Sequence, residues 1–259
     1  MPSPARHDRL MTVPAHRPLP DDPGIASLDE RVRSSVAAAW RRRASNELTT
    51  STVFATLTRC LVRLHAPHEI VRQAAVAVAD EVRHAEICVH VARAYWPQCP
   101  PPDPGSVVDE PAHGGDAELT AMLFAIMQSC INEGVASVYL QRCLAESRYA
   151  LARAAVRDIL EDEIHHARFG WSLLGSDIMR STWRVAVAEA LPDLLQRVSD
   201  AWMAHETSGL PGVPRGHGTI EKGAMSGVVR SAYQDLVLPG FERVGVDADR
   251  GRSWAERSP

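Results

Sequence analysis

The segments Asp80-Glu81-Val82-Arg83-His84-Ala85 and Asp162-Glu163-Ile164-His165-His166-Ala167 repeat one pattern 82 positions apart (162 minus 80). In each, a Glu and a His stand three residues apart, about one helical turn, so both side chains project from one helix face. The neighbouring residues extend those faces. Ala77, Val78, Ala85 and Cys88 share the stripe of Glu81 and His84; Val156, Ile159, Leu160, Ala167 and Gly170 share that of Glu163 and His166. Apolar residues at spacings of three and four predict two amphipathic helices, each with its buried stripe interrupted by a carboxylate and an imidazole.

Outward from these segments the chain reads as a series of long helices. Pro2, Pro4, Pro14, Pro18, Pro20 and Pro23 break any helix before residue 27, so residues 1–26 read as a flexible tail. Ser27-Leu28-Asp29-Glu30 has the form of a capping box and opens a first helix running to about His65. A second is expected from Pro67 to Trp96, a third from Asp116 to Glu146, and a fourth from Arg148 to Leu174. A fifth, Thr182 to Glu206, carries Pro192 and should be kinked or split; Gly209 to Gly218 reads as a linker before a last helix over residues 219–240. No stretch alternates as a strand does. The expected fold class is all-α, with a core over residues 27–180 and a helical extension over 181–259 packed on it.

Short turns make helices one and two, and helices three and four, antiparallel hairpins. The Pro/Gly-rich connection from Pro97 to Gly115 can span roughly 60 Å when extended. That length predicts a crossover joining helices two and three in parallel, as in some four-helix bundles. A third Asp-Glu-x-x-His, Asp109-Glu110-Pro111-Ala112-His113, falls in this connection, where no helix can align its side chains, and is set aside. Glu47 and Glu133 sit on the apolar faces of helices one and three, near Phe54 and Leu57, and Cys130 and Leu140. Glu47, Glu81, Glu133 and Glu163 lie 15 to 19 residues from the turns near Ala66 and Arg148, which puts each hairpin's pair within about one turn of equal depth. Asn46-Glu47 also mirrors Asn132-Glu133, so the hairpin itself reads as duplicated. Buried carboxylates are costly unless paired or metal-bound. Four Glu and two His converging on one core are a ligand set for two iron or manganese ions.

These residues resemble the ferritin-like di-iron carboxylate superfamily, and the repeated Asp-Glu-x-x-His segments are most similar to those of bacterial multicomponent monooxygenase hydroxylases. The likeness covers about residues 30–175 and implies a ferritin-like four-helix bundle with a long crossover. It implies one metal held by Glu47 and His84, the other by Glu133 and His166, with Glu81 and Glu163 as bridging or shifting carboxylates. Asp80 and Asp162 match the aspartates that orient the ligand histidines. Ser137 stands where the hydroxylases carry a Thr and would be a proton relay. Cys88 occupies the position of the radical tyrosine of class I ribonucleotide reductase, no Cys-x-x-Cys iron domain follows, and Ile159 replaces the extra His of the aminoarene N-oxygenases.

The implied activity is that of a cytoplasmic oxidase or oxygenase. It would use two iron ions, or manganese and iron, to activate dioxygen and hydroxylate, desaturate or N-oxidise a small organic substrate. An iron-oxidising, iron-handling protein without an organic substrate is the alternative. No flavin, nicotinamide or iron–sulfur motif is present, so electrons would come from an external reductase or ferredoxin, or from the substrate; a homodimer is common in the superfamily. Composition agrees with a globular enzyme: the 259 residues are 45% hydrophobic with a net charge of −4, which favours neither nucleic acid nor an anionic membrane as partner. No unbroken apolar run is long enough to span a bilayer. The five cysteines lack the spacing of a disulfide scaffold or zinc ribbon. The run Arg41-Arg42-Arg43 reads as a solvated helix face.

Overall fold

In the computed structural model, which describes residues 18–110, 115–207, 213–221 and 223–257, helix α1 (Glu30–Arg63) starts three residues after the expected cap. Asp29 is the N-cap, its carboxylate accepting from the Arg31 amide at 2.8 Å. The Ser27 hydroxyl instead donates to the Gly24 carbonyl within a short 3-10 turn, Pro23–Ser27. The capping box is not formed because Ser27 is already committed to this turn. Ile25 is buried and Asp22 accepts from the Leu151 amide, so this end of the expected tail is built into the fold. Residues 1–17 lie outside the described residues.

The remaining helices are α2 (His68–Tyr95), α3 (Ala117–Ile126), α4 (Glu133–Glu146), α5 (Ala150–Leu174), α6 (Ser181–Thr207), α7 (Met225–Ser231), α8 (Leu238–Arg243) and α9 (Asp249–Arg257). No strand occurs among the described residues. A π-helical segment, Met127–Asn132, joins α3 to α4. A second, Ala232–Val237, joins α7 to α8. Neither has a periodicity signature that an apolar pattern reveals. Helix α6 carries Pro192 inside one continuous element, so of the kink or split expected there, the split does not occur. The continuous stretch Ala117–Glu146 is long and apolar enough to cross a membrane by composition, but 67% of its most apolar window is buried inside the protein.

Helix α1 packs along α2, α2 against α5, α5 against α4 and the first π segment, and α3 back against α1. Two apolar clusters fill this assembly. One includes Phe54, Leu57 and Leu61 of α1, Ala74 and Ala77 of α2, and Phe169 and Leu173 of α5. The other includes Trp40 and Ala44, then Ala85, Cys88 and Val91, then Val156 and Ile159. Between the clusters lie the stretches that carry Glu47, Glu81, His84, Glu163 and His166. The C-terminal helices extend the first cluster: α6 packs on α7 and α9, and α4 on α7. Gly240 lets α8 lie against Trp171, whose indole a Cβ would approach to 2.6 Å.

The connection between α2 and α3 is fastened along α1 by threonines. Ser106 donates its amide to Thr49 Oγ1 and Val108 to Thr52 Oγ1, at 3.0 and 3.1 Å; Thr56 donates to the Val108 carbonyl at 2.7 Å. Ion pairs Arg41–Asp103 and Arg63–Glu110 flank this ladder. Glu110 of the discarded third motif is thus an ion-pair partner in the connection; its His113 lies outside the described residues. A Cβ at Gly105 would meet the Leu48 and Thr49 backbone at 2.6 Å, a distance backbone atoms cannot yield to cheaply. Replacing Gly105 by Ala should lower the melting temperature by roughly 4–8 °C, about 2 kcal/mol in a chain of this size. T52V, which removes hydrogen-bonding capacity without a clash, should cost less; circular-dichroism melts of both variants check the order.

Candidate metal centre

Helices α2 and α5 each bring a Glu and a His to the same level because their apolar stripes face one another across the core. Glu81 and His84 are wholly buried, and Glu133, Glu163 and His166 are buried to within 4% exposure; Glu47 is half-buried. Ligand atoms of Glu47, Glu81, His84 and Glu163 form one group and those of Glu133, Glu163 and His166 a second, the atoms within each lying no more than 4.8 Å apart. Glu163 belongs to both. His166 Nδ1 is 3.1 Å from both Glu163 and Glu81, and His84 Nδ1 is 3.5 Å from both Glu81 and Glu163. All six sequence-identified ligands therefore converge, with Glu81 and Glu163 between the two histidines.

The outward nitrogens of the imidazoles are held crosswise. His84 Nε2 lies 3.1 Å from Asp162, and His166 Nε2 3.3 Å from Asp80. Each Asp thus accepts a hydrogen bond from Nε2–H of the other half's His and leaves Nδ1 turned to the carboxylates, the arrangement that fixes a ligand tautomer. The halves are not equal. Arg83 pairs with both Asp158, at 2.6 Å, and Asp162, anchoring the aspartate behind His84. Its counterpart in the repeat, His165, is exposed.

Electrostatics at this level are dominated by desolvation and by crowding of like charges. Burial and then the neighbouring Glu81 push Glu47 well above the ordinary carboxylate value, and burial and Glu163 do the same to Glu133. Burial opposes charge on both histidines, yet the neighbouring carboxylates of Asp162, Glu163 and Glu81 raise His84 well above 6.5, and those of Asp80, Glu163 and Glu81 raise His166 likewise. Burial would also raise Glu163, but the hydrogen bond from His166 and the nearby His84 hold it well below its ordinary range. Burial pushes the Cys88 thiol up, and Cys88 belongs to neither group of converging ligand atoms.

The donor set tests whether metal fits. Both oxygens of Glu81 and Nδ1 of His84 are buried without a hydrogen bond, acceptors and a ring nitrogen left over where polar groups are ordinarily satisfied. Four carboxylates balance two divalent cations, the two neutral imidazoles complete an oxygen and nitrogen set without thiolate, and such a set suits iron or manganese. The residues fit a two-metal centre.

A cavity of about 210 Å³ opens on one side of the cluster and reaches Glu47, Glu133 and Glu163. Its apolar wall includes Ala136, Leu140 and Trp202; its polar wall includes Arg43, Asn46, Thr50 and Tyr139. The Trp202 indole donates to Asn132 Oδ1 at 3.0 Å, and the Asn132 amide donates to Glu133 Oε1 at 3.3 Å, so α6 braces a ligand carboxylate. Ser137 is buried with its hydroxyl unpartnered and is not on the cavity wall. Arg43 departs from its sequence reading: it is 9% exposed, not solvated. It stands four residues before Glu47 and so on the same face, which is the signal that a run of three arginines concealed. Tyr139 and Trp202 also line this cavity, and no spacing in the sequence marks them for it.

No protein-family profile matches the chain, and no curated protein matches it.

The shifted groups set a pH dependence for the metal-free protein. His84 and His166, raised above 6.5, and Glu47 and Glu133, raised above 4.5, all bind protons more tightly folded than unfolded. Their contributions are complete below those ordinary values and are lost as pH rises through the folded ones. Glu163 acts in the opposite sense, but its contribution is already complete above 4.5. The melting temperature of chelator-treated protein should therefore fall as pH rises above about 6.5. Ferrous or manganous ions, which need deprotonated ligands, should reverse that slope; thermal melts across pH with and without metal check it.

Proposed function

We propose that this chain is a di-metal oxidase or oxygenase of the ferritin-like carboxylate type, using two iron ions or a manganese–iron pair and dioxygen to oxidise a small organic molecule. The crosswise pairs Asp80–His166 and Asp162–His84 require α2 and α5 to run antiparallel. With short turns joining α1 to α2 and α4 to α5, α2 and α4 then run parallel. That order supports a bundle whose long connection crosses over beside α1.

The observation that carries the catalytic reading is the cavity at Glu47, Glu133 and Glu163. Bound iron or manganese would supply dioxygen binding and its reduction; the chain supplies placement. Glu47, Glu81 and His84 would hold one ion, Glu133 and His166 the other, with Glu163 between. Asp80 and Asp162 keep the Nε2 protons on the histidines and so present Nδ1 as the ligand atom. Ala136, Leu140 and Trp202 exclude water from the space where a substrate C–H would sit. Hydroxylation balances as R–H + O2 + 2 e− + 2 H+ → R–OH + H2O. The electrons are assigned to a separate reductase or ferredoxin. A cavity walled on one side by apolar side chains favours this reading over iron storage, which needs no organic pocket.

Iron-loaded protein supplied with a chemical or protein reductant should consume dioxygen faster in the presence of a fitting substrate. E81Q and H84A should lower that rate by about 100-fold or more while leaving the helical circular-dichroism signal in place. Oxygen-electrode traces with product analysis decide the matter. Uptake driven only by free ferrous iron, with iron accumulating far beyond two per chain, would favour storage instead.

A further inference from the structure

Arg43 is a buried cation without an anion. Its Nη2 donates to Tyr139 Oη at 2.7 Å and to the Gly218 carbonyl at 3.0 Å, both neutral acceptors, and its Nη1 has no hydrogen-bond partner. The faces of Trp40 and Tyr139 flank the guanidinium at 4.6 and 5.4 Å. No carboxylate pairs with it among the described residues. Arginine cannot shed its proton to escape this position. A buried, unsatisfied, charged donor is costly, and such costs are retained where a ligand offsets them.

Arg43 is also part of the wall of the cavity at the metal centre. It stands one turn before Glu47 on α1, which puts the two about 6 Å apart along the helix axis. Glu47 acts on Arg43 electrostatically but forms no ion pair with it, and it is a ligand candidate whose charge a metal would neutralise. The rest of the wall is divided, with Asn46 and Thr50 near Arg43 in sequence, and Ala136, Leu140 and Trp202 apolar. A molecule with an anionic end and an apolar body matches this division.

We propose that the cavity selects a small organic carboxylate, anchored by the Arg43 guanidinium, with its apolar body along Ala136, Leu140 and Trp202. The planar guanidinium suits a planar carboxylate, and the flanking aromatic faces fix its plane. This substrate class rests on the oxidase reading of the site, but the binding step itself requires no turnover.

The test pairs acids with their neutral isosteres: benzoate with benzamide, hexanoate with hexanamide, and phenylacetate with phenylacetamide. Methylphosphonate and inorganic phosphate form a second arm. Binding to the metal-loaded full chain is read by calorimetry, alongside metal content. At least one carboxylate should bind about tenfold or more tightly than its amide. The preference should vanish in R43Q and return in part in R43K. If R43Q does not fold, the wild-type acid-to-amide ratio still decides. Equal binding of acid and amide, no binding by any acid, or tighter binding of the phosphorus anions would overturn the proposal. Two metals per chain without carboxylate preference would remove the substrate class and leave the oxidase reading; carboxylate preference without metal would do the reverse.

Discussion

Withdrawing four carboxylates and two imidazoles from water at one level of a helical core is the constraint on which this structure turns. Each such group, left alone, would cost more than a helix packing contact returns. The fold answers by placing them together, so that Glu163 is hydrogen-bonded by His166 and faces His84, and the raised Glu47 and Glu133 need not ionise without metal. Two apolar clusters bracket the polar level, which is open to the cavity on the side of Glu47 and Glu133. The crosswise aspartates extend the network outward by one shell and tie α2 to α5.

Much of this was written in the sequence because helices are local. A Glu and a His three residues apart on an apolar stripe declare a buried polar pair wherever the helix goes, and counting from the turns puts those pairs at similar depth. The same locality explains what the sequence concealed. The π segment Met127–Asn132 leaves the apolar pattern intact while shifting the register next to Glu133. Arg43 looked like one of three equal arginines. Only the approach of Tyr139 and the Gly218 carbonyl, from distant parts of the chain, distinguishes it from its neighbours. The threonines that hold the long connection likewise gain their role from Ser106 and Val108, about 55 residues away, and no helical period marks them.

The two halves of the site are alike in their ligands and unlike in their surroundings. Arg83 braces the aspartate behind His84, whereas the exposed His165 stands at the matching place in the other half. On the opposite side, the Trp202–Asn132–Glu133 chain ties one ligand to α6, and Arg43 lies a turn from Glu47. The repeated Glu/His segments thus give two similar candidate metal half-sites, and α6 makes their surroundings different. That asymmetry is what a centre needs if one face is to receive a substrate and the other to be packed shut.

The most direct test of the central claim is the metal content of the full chain, purified without chelator from cells supplied with iron and manganese and measured by plasma mass spectrometry. The account predicts about two ions per chain, as iron alone or as manganese with iron, falling sharply in E81Q and H84A. Protein that holds no metal and takes none up anaerobically would contradict it, and would leave the buried carboxylates and histidines as a proton-sharing network within a structural core.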